Sequence, residues 1–142
     1  MILLIALAAI TFLDYYLSGF ARRTFVFYNY DDGSAVVEER LLKRSDSREN
    51  DLIRYVEEVL LGPMAANSLP LFSKETKLES LLYRDEIVYL NLSENAAMAP
   101  PEGGEIYKNL KTLQDGIKRN FSYVGDLKFF IAGNAVDIPK EP

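Results

Sequence analysis

The side chains that most often do chemistry are missing from this sequence, which has no His, no Cys and no Trp. Ser-His-Asp and Cys-His nucleophile systems, an imidazole base, thiolate chemistry and the usual structural zinc sites are therefore excluded. Catalysis would have to run on carboxylates, Lys, Tyr or a borrowed metal. The oxygen-rich run Asn29-Tyr30-Asp31-Asp32-Gly33-Ser34 lacks the distal bidentate Glu and the full ligand spacing of an EF-hand calcium loop. Asp-Gly is turn chemistry, and the run reads as a hairpin turn. The adjacent acids of Glu38-Glu39 diverge by ~180° if they lie on a strand, and those of Glu57-Glu58 by ~100° if they lie on a helix, so neither pair closes on one substrate atom. Glycosidase carboxylates flank a bond at roughly 5 to 10 Å and usually come from different elements. A pair assembled from acids such as Glu38, Glu57 or Glu102 is the enzymatic alternative. Gly103-Gly104 matches neither phosphate-loop pattern. No catalytic residue, metal site or cofactor site follows from these motifs, no small-molecule ligand is indicated, and a non-enzymatic role is expected.

What remains is aromatic: nine Tyr and eight Phe. Alternation puts Phe25, Phe27 and Asn29 on one side of a first strand and Val26, Tyr28 and Tyr30 on the other; further along, Val88, Leu90 and Leu92 oppose Ile87, Tyr89 and Asn91. Helices covering one side of a sheet would leave the tyrosines on the other. Tyr offers large contact area at low entropic cost, so Tyr28, Tyr30 and Tyr89 are the candidate partner-binding residues, although an amphipathic ring also suits the edge of a core.

The elements that would position them follow from periodicity. Phe25 to Tyr30 and Ala35 to Leu42 read as a hairpin around Asp31-Asp32-Gly33-Ser34. After Ser47, Leu52, Val56, Val59 and Leu60 form a helical stripe that ends at Gly62-Pro63. Pro70 forbids a central strand in the following loop. Leu78 to Tyr83 and Ile87 to Leu92 make a second hairpin, and 93–105 is irregular. Ile106, Leu110, Leu113, Ile117 and Phe121 mark a second amphipathic helix, before a last strand from Leu127 to Ile131 and a turn at Gly133-Asn134. The order β-β-α-β-β-α-β predicts an α/β domain of the α+β type, with a single mixed β-sheet and both helices on one face.

Ahead of this domain, Met1 to Leu13 is apolar except for Thr11, and the apolar character continues, broken by Asp14, to Ala21 before Arg22-Arg23. A helix over 1–21 would extend roughly 30 Å, the thickness of the hydrocarbon core, with Tyr15 and Tyr16 at an interface. Residues 1–23 are thus expected to be a transmembrane anchor, or a signal peptide cut after Ala21; a buried core helix is the third option. The lack of a basic residue before the run, with Arg22-Arg23 after it, runs against the positive-inside rule. The absent Cys leaves no residue for lipoprotein acylation. Formal net charge is -5; without Arg22, Arg23 and Asp14, residues 24–142 hold 14 basic and 20 acidic side chains. That balance, with scattered cations, argues against nucleic acid.

The landmarks resemble the GerMN domain, the sporulation and spore-germination module. The resemblance rests on the opening strand Thr24 to Tyr30, the helix end Val59-Leu60-Leu61-Gly62-Pro63, Leu69-Pro70 followed by Thr76-Lys77-Leu78, the strand Val88-Tyr89-Leu90-Asn91-Leu92-Ser93, the helix carrying Thr112-Leu113, and the closing Phe129-Phe130-Ile131-Ala132-Gly133. LPLFSKET departs from the family's shorter Pro-Gly-Thr stretch, and no glycine precedes Thr76. The resemblance implies a ring-building-motif-like domain at 24–138 with a tail at 139–142. It also implies action by protein–protein contact in the bacterial envelope, on another envelope protein or on copies of itself. With residues 1–21 in the cytoplasmic membrane, the domain would lie outside the cytoplasm, or be secreted if they are cleaved. The alternative is a carboxylate-dependent hydrolase or binder of cell-wall glycan.

Overall fold

A computed structural model describes residues 1–17, 19–98 and 105–139. Helix α1 (Ile2–Leu17) is an apolar run without Gly or Pro, and Gly19, at φ +67°, turns the chain out of it. Strands β1 (Phe20–Asn29) and β2 (Ala35–Lys43) form the first hairpin, in register from Phe20 opposite Lys43 to Tyr28 opposite Ala35. Its turn closes through side chains: Asn29 Oδ1 accepts from Asp31 N at 2.7 Å and Asp32 Oδ1 from Ser34 N at 2.9 Å, with Gly33 at φ +69°.

The hairpin extends further toward the N-terminus than its sequence suggests. Phe20 to Arg23, expected in the membrane segment 1–23, are strand residues; Ala21 is buried and faces Leu42, and Arg23 lies 4.2 Å over the Phe121 ring. Inward alternation from Ala21 through Phe25 to Phe27 decides this, because a strand beginning at Thr24 would leave Ala21 without its buried place.

Helix α2 (Arg48–Leu61) starts where Ser47 Oγ accepts from Asn50 N at 3.1 Å and carries Glu49 and Asp51 in its first turn. Gly62, at φ +89°, ends it. The short β3 (Ser68–Leu69) pairs with Tyr28 and Asn29 just before Pro70. β4 (Leu78–Arg84) and β5 (Ile87–Leu92) are joined by Asp85 and Glu86, both at positive φ, as a two-residue hairpin requires. A 3-10 turn, Glu94–Ala97, follows. Helix α3 (Ile106–Asn120) is the crossover that lets β6 (Asp126–Ile131) pair parallel to β5. Ala132 and Gly133 then turn the chain into β7 (Asn134–Val136), one residue earlier than the expected Gly133-Asn134 turn.

The α+β class holds, but the strands form two sheets and not one: β2-β1-β3 and β4-β5-β6-β7. The reason is at the free edge of β1. β3 takes its Tyr28–Asn29 end, and the C-terminus of α3 takes the Thr24 position through Asn120, so no further strand can add there. Both sheets and both amphipathic helices still share one core, with Phe25 and Phe27 from β1, Leu52, Tyr55 and Val56 from α2, Val88, Leu90 and Leu92 from β5, and Leu110, Leu113 and Ile117 from α3. Tyr55 is its pivot, stacked 4.7 Å from Phe25 and edge-on 5.5 Å from Phe121.

Candidate functional site

The three tyrosines singled out from the sequence do not share a face. Tyr28 is half-buried and packs against α3 instead of pointing away from the helices. Its hydroxyl lies 2.7 Å from Thr112 Oγ1, and Lys108 Nζ sits 4.0 Å from its ring centroid. Thr112 donates to Lys108 O at 2.9 Å, so the Tyr28 hydroxyl is the donor toward Thr112. Tyr30 lies beyond the end of β1, exposed, with its N–H donated to Asn67 O at 2.8 Å. Tyr89 belongs to the other sheet, where it pairs with Leu82 on β4 and Lys128 on β6, opposite the buried Val88, Leu90 and Leu92. Alternation within each strand was legible; the split between sheets was not.

Two open clefts meet where Lys111 of α3 approaches Ile138 and Pro139. One, of about 590 Å³, runs between α3 and β6–β7 along Gln114, Lys128 and Phe130. The other, of about 600 Å³, is bordered by Tyr28, Tyr107, Lys108 and Thr112. Tyr28 is thus the wall of a cleft, with Tyr107 as its exposed neighbour.

The carboxylates weighed as catalysts are placed apart. Glu38 faces α2, where its side chain receives Arg40 Nη2 at 2.8 Å and the N–H groups of Met64 and Ala65, both at 3.0 Å. Burial works to raise its pKa, but the Arg40 hydrogen bond and the two backbone donors win and hold the carboxyl below its usual value. A general acid needs the opposite shift. Arg40 also bonds Glu58 Oε2 at 3.1 Å and Gly62 O at 2.8 Å, and its guanidinium lies 4.8 Å over Phe25. Glu38 and Glu58 are parts of a clamp between β2 and the end of α2. Glu57 is exposed, and Glu102 lies outside the described residues. Among the described residues no three acidic side chains converge as metal ligands would.

Helix α1 presents a continuous exposed apolar surface. None of its residues is buried, and Ile2, Leu3, Leu4, Leu7, Ile10 and Phe12 are all exposed. Its 16 residues rise roughly 24 Å, short of the roughly 30 Å hydrocarbon core; among the described residues no helix is long and apolar enough to cross a membrane.

No family model matches the chain, and no curated protein does. Solved structures do. The tandem GerMN domains of the sporulation protein GerM from Bacillus subtilis superpose with a TM-score of 0.60 at 17% identity, over 87% of this chain and 46% of that one. The first GerMN domain of the same protein gives 0.56 at 14% identity, over 82% of this chain and 88% of that domain. The chain has a GerMN-like fold. A candidate lipoprotein from Clostridium perfringens is similar at a TM-score of 0.54 and 20% identity, over 86% of this chain and 81% of that protein. At these identities the likeness is one of fold.

Proposed function

We propose that this chain is a membrane-tethered module of the bacterial cell envelope, its GerMN-like domain lying outside the cytoplasm and working through protein–protein contact with an envelope protein or a second copy. The observation that carries the tether is α1: an apolar helix with no buried residue leaves its whole surface to be covered by something other than this domain, and a contiguous apolar surface of that size is unfavourable in water. Two of the structural neighbours are domains of a sporulation protein and one is a candidate lipoprotein, which supports an envelope setting. In this reading α1 is the attachment.

The test is a reporter that matures only outside the cytoplasm, fused after Pro142, combined with membrane fractionation. Activity and retention in the membrane fraction are expected, together with release to the soluble fraction when Leu4 and Leu7 are replaced by Asp. A silent reporter would overturn the location. Chemical crosslinking in intact cells should return discrete protein adducts or a dimer; only monomer would overturn the interaction role.

A further inference from the structure

The domain is acidic as a whole, yet one end of it is not. The β1–β2 register sets Phe20 opposite Lys43, Arg22 opposite Leu41 and Arg23 opposite Arg40, so Arg22-Arg23 and Lys43-Arg44, about twenty residues apart in sequence, fall within four positions of each other at one end of the hairpin. Arg44 N donates to Gly19 O at 2.6 Å, which holds Arg44 at the point where the chain leaves α1. Arg54 reaches across from α2 and donates to Lys43 O. A small dent is lined by Arg23, Lys43, Arg44 and Arg54, and Asp51 is the one carboxylate lining it among the described residues. That carboxylate accepts from Ser45 N at 2.7 Å. Arg48, exposed at the start of α2, lies 4.8 Å over the Tyr123 ring.

The acids nearby do not cancel this charge. Glu39 pairs with Arg22 at 3.2 Å, and Asp46 stands exposed in the turn before α2. Among the described residues no ion pair engages Arg23, Lys43, Arg44 or Arg54, and Lys43 and Arg44 are exposed.

We propose that this end of the first hairpin is a docking surface for anionic phospholipid headgroups. The inference rests on α1 residing in the membrane. Only two residues separate Leu17 from Phe20, so burial of α1 in hydrocarbon holds the start of β1 and the end of β2 within a few ångströms of the headgroups. Cations at that depth each strengthen attachment to an anionic surface by roughly fivefold. The same contact orients the domain, because an acidic body is repelled by an anionic leaflet everywhere except at its basic end.

The experiment is flotation of the full chain with vesicles of phosphatidylcholine alone and of an equal mixture with phosphatidylglycerol, at low and high salt. Three proteins are compared: the native chain, the Lys43→Gln/Arg44→Gln variant, and Lys74→Gln/Lys77→Gln as an equal charge change elsewhere. Among the described residues, the side chains of Lys43 and Arg44 make no hydrogen bond or ion pair, so their variant should melt with the native chain. Lys74 and Lys77 precede β4, whose far end is tied to α2 by Tyr83 N donating to Glu49 at 2.9 Å. The native chain should bind the phosphatidylglycerol mixture more tightly than phosphatidylcholine, the preference fading at high salt. Lys43→Gln/Arg44→Gln should lose about 25-fold on the mixture alone, and Lys74→Gln/Lys77→Gln should lose nothing. Equal binding to both vesicles leaves the tether standing and overturns the docking surface. Binding to the mixture alone, with none to phosphatidylcholine, overturns the tether and with it the premise of the docking surface. Loss of equal size in both variants also overturns the docking surface, since net charge then suffices.

Discussion

The Asn120 carboxamide closes both hydrogen bonds of the Thr24 peptide: Thr24 N donates to Asn120 Oδ1 at 2.8 Å, and Asn120 Nδ2 donates to Thr24 O at 2.8 Å. A side chain at the end of α3 thereby does for β1 what a neighbouring strand would do. Buried peptide groups need partners, and an amide side chain carries a donor and an acceptor in nearly peptide geometry. This pair is why the β-structure divides in two.

Asn120→Ala should cost about 2 kcal/mol, since it strands the Thr24 N–H, and Asn120→Asp should cost more by setting a carboxylate against the Thr24 carbonyl. Urea denaturation measures the cost, and hydrogen exchange at the Thr24 amide should rise above that of Phe25. Unchanged exchange at Thr24 would remove Asn120 from this role.

Gly116 offers a sign test. In an exposed helix interior Gly→Ala stabilises by about 1 kcal/mol, but here a Cβ would meet the Tyr55 hydroxyl at 2.5 Å. Tyr55 cannot retreat, being stacked on Phe25, edge-on to Phe121 and bonded to Thr24 O at 3.0 Å. Gly116→Ala should therefore destabilise the native chain by about 1 to 3 kcal/mol yet stabilise the Tyr55→Phe variant. The same sign in both backgrounds would refute the contact.

Tyr55 also sets an alkaline limit. Burial pushes its phenol up to about 12, against an unfolded value near 10. The folded state thus keeps the proton longer, and that contribution is full below pH ~10 and lost as pH rises toward 12. Calorimetric melting over this range should fall more steeply for the native chain than for Tyr55→Phe.

Glu38 contributes to acid sensitivity with the opposite sign. Its carboxyl is held below its usual value, so its contribution is present above about pH 4.3 and is lost as pH falls through the folded value. Glu38→Gln should flatten the acid limb of the stability profile. Arg40→Lys should destabilise at neutral pH, because one ammonium cannot reach Glu38, Glu58 and Gly62 O while covering Phe25.

Tyr28 and Tyr89 should separate in thermal melts. Tyr28→Ser removes a half-buried ring and the Thr112 bond and should lower Tm by several degrees, whereas Tyr89→Ser, on the outer face of the other sheet, should leave Tm nearly unchanged. If Tyr89 contacts a partner, its variant alone should lose the crosslink while remaining folded.

Local rules are strong where a residue's partner lies within a turn or a strand. The stripe from Ile106 to Ile117 predicts a helix, Ser47 predicts its neighbour's start, and Asp31-Asp32-Gly33-Ser34 predicts the hairpin, because each signal is satisfied by residues a few positions away. The absence of His and Cys sets the chemical range, and the apolar character of 1–21 marks a membrane-type segment within which α1 falls. The limits of the membrane segment were less legible: Phe20 to Arg23 are as suited to the end of an apolar run as to a strand, and Leu42 opposite Ala21 is what decides.

Everything resting on pairs distant in sequence needed the folded chain. Asn120 on Thr24, Arg40 on Glu58 and Gly62 O, Tyr28 against Thr112 and the meeting of Arg23 with Lys43 and Arg44 join residues with no periodic relation. Composition and period dictated which segments are helix or strand and which faces are apolar, since those follow from each residue's own chemistry. Which edge meets which helix depends on how those faces share one core, and that choice belongs to the tertiary structure alone.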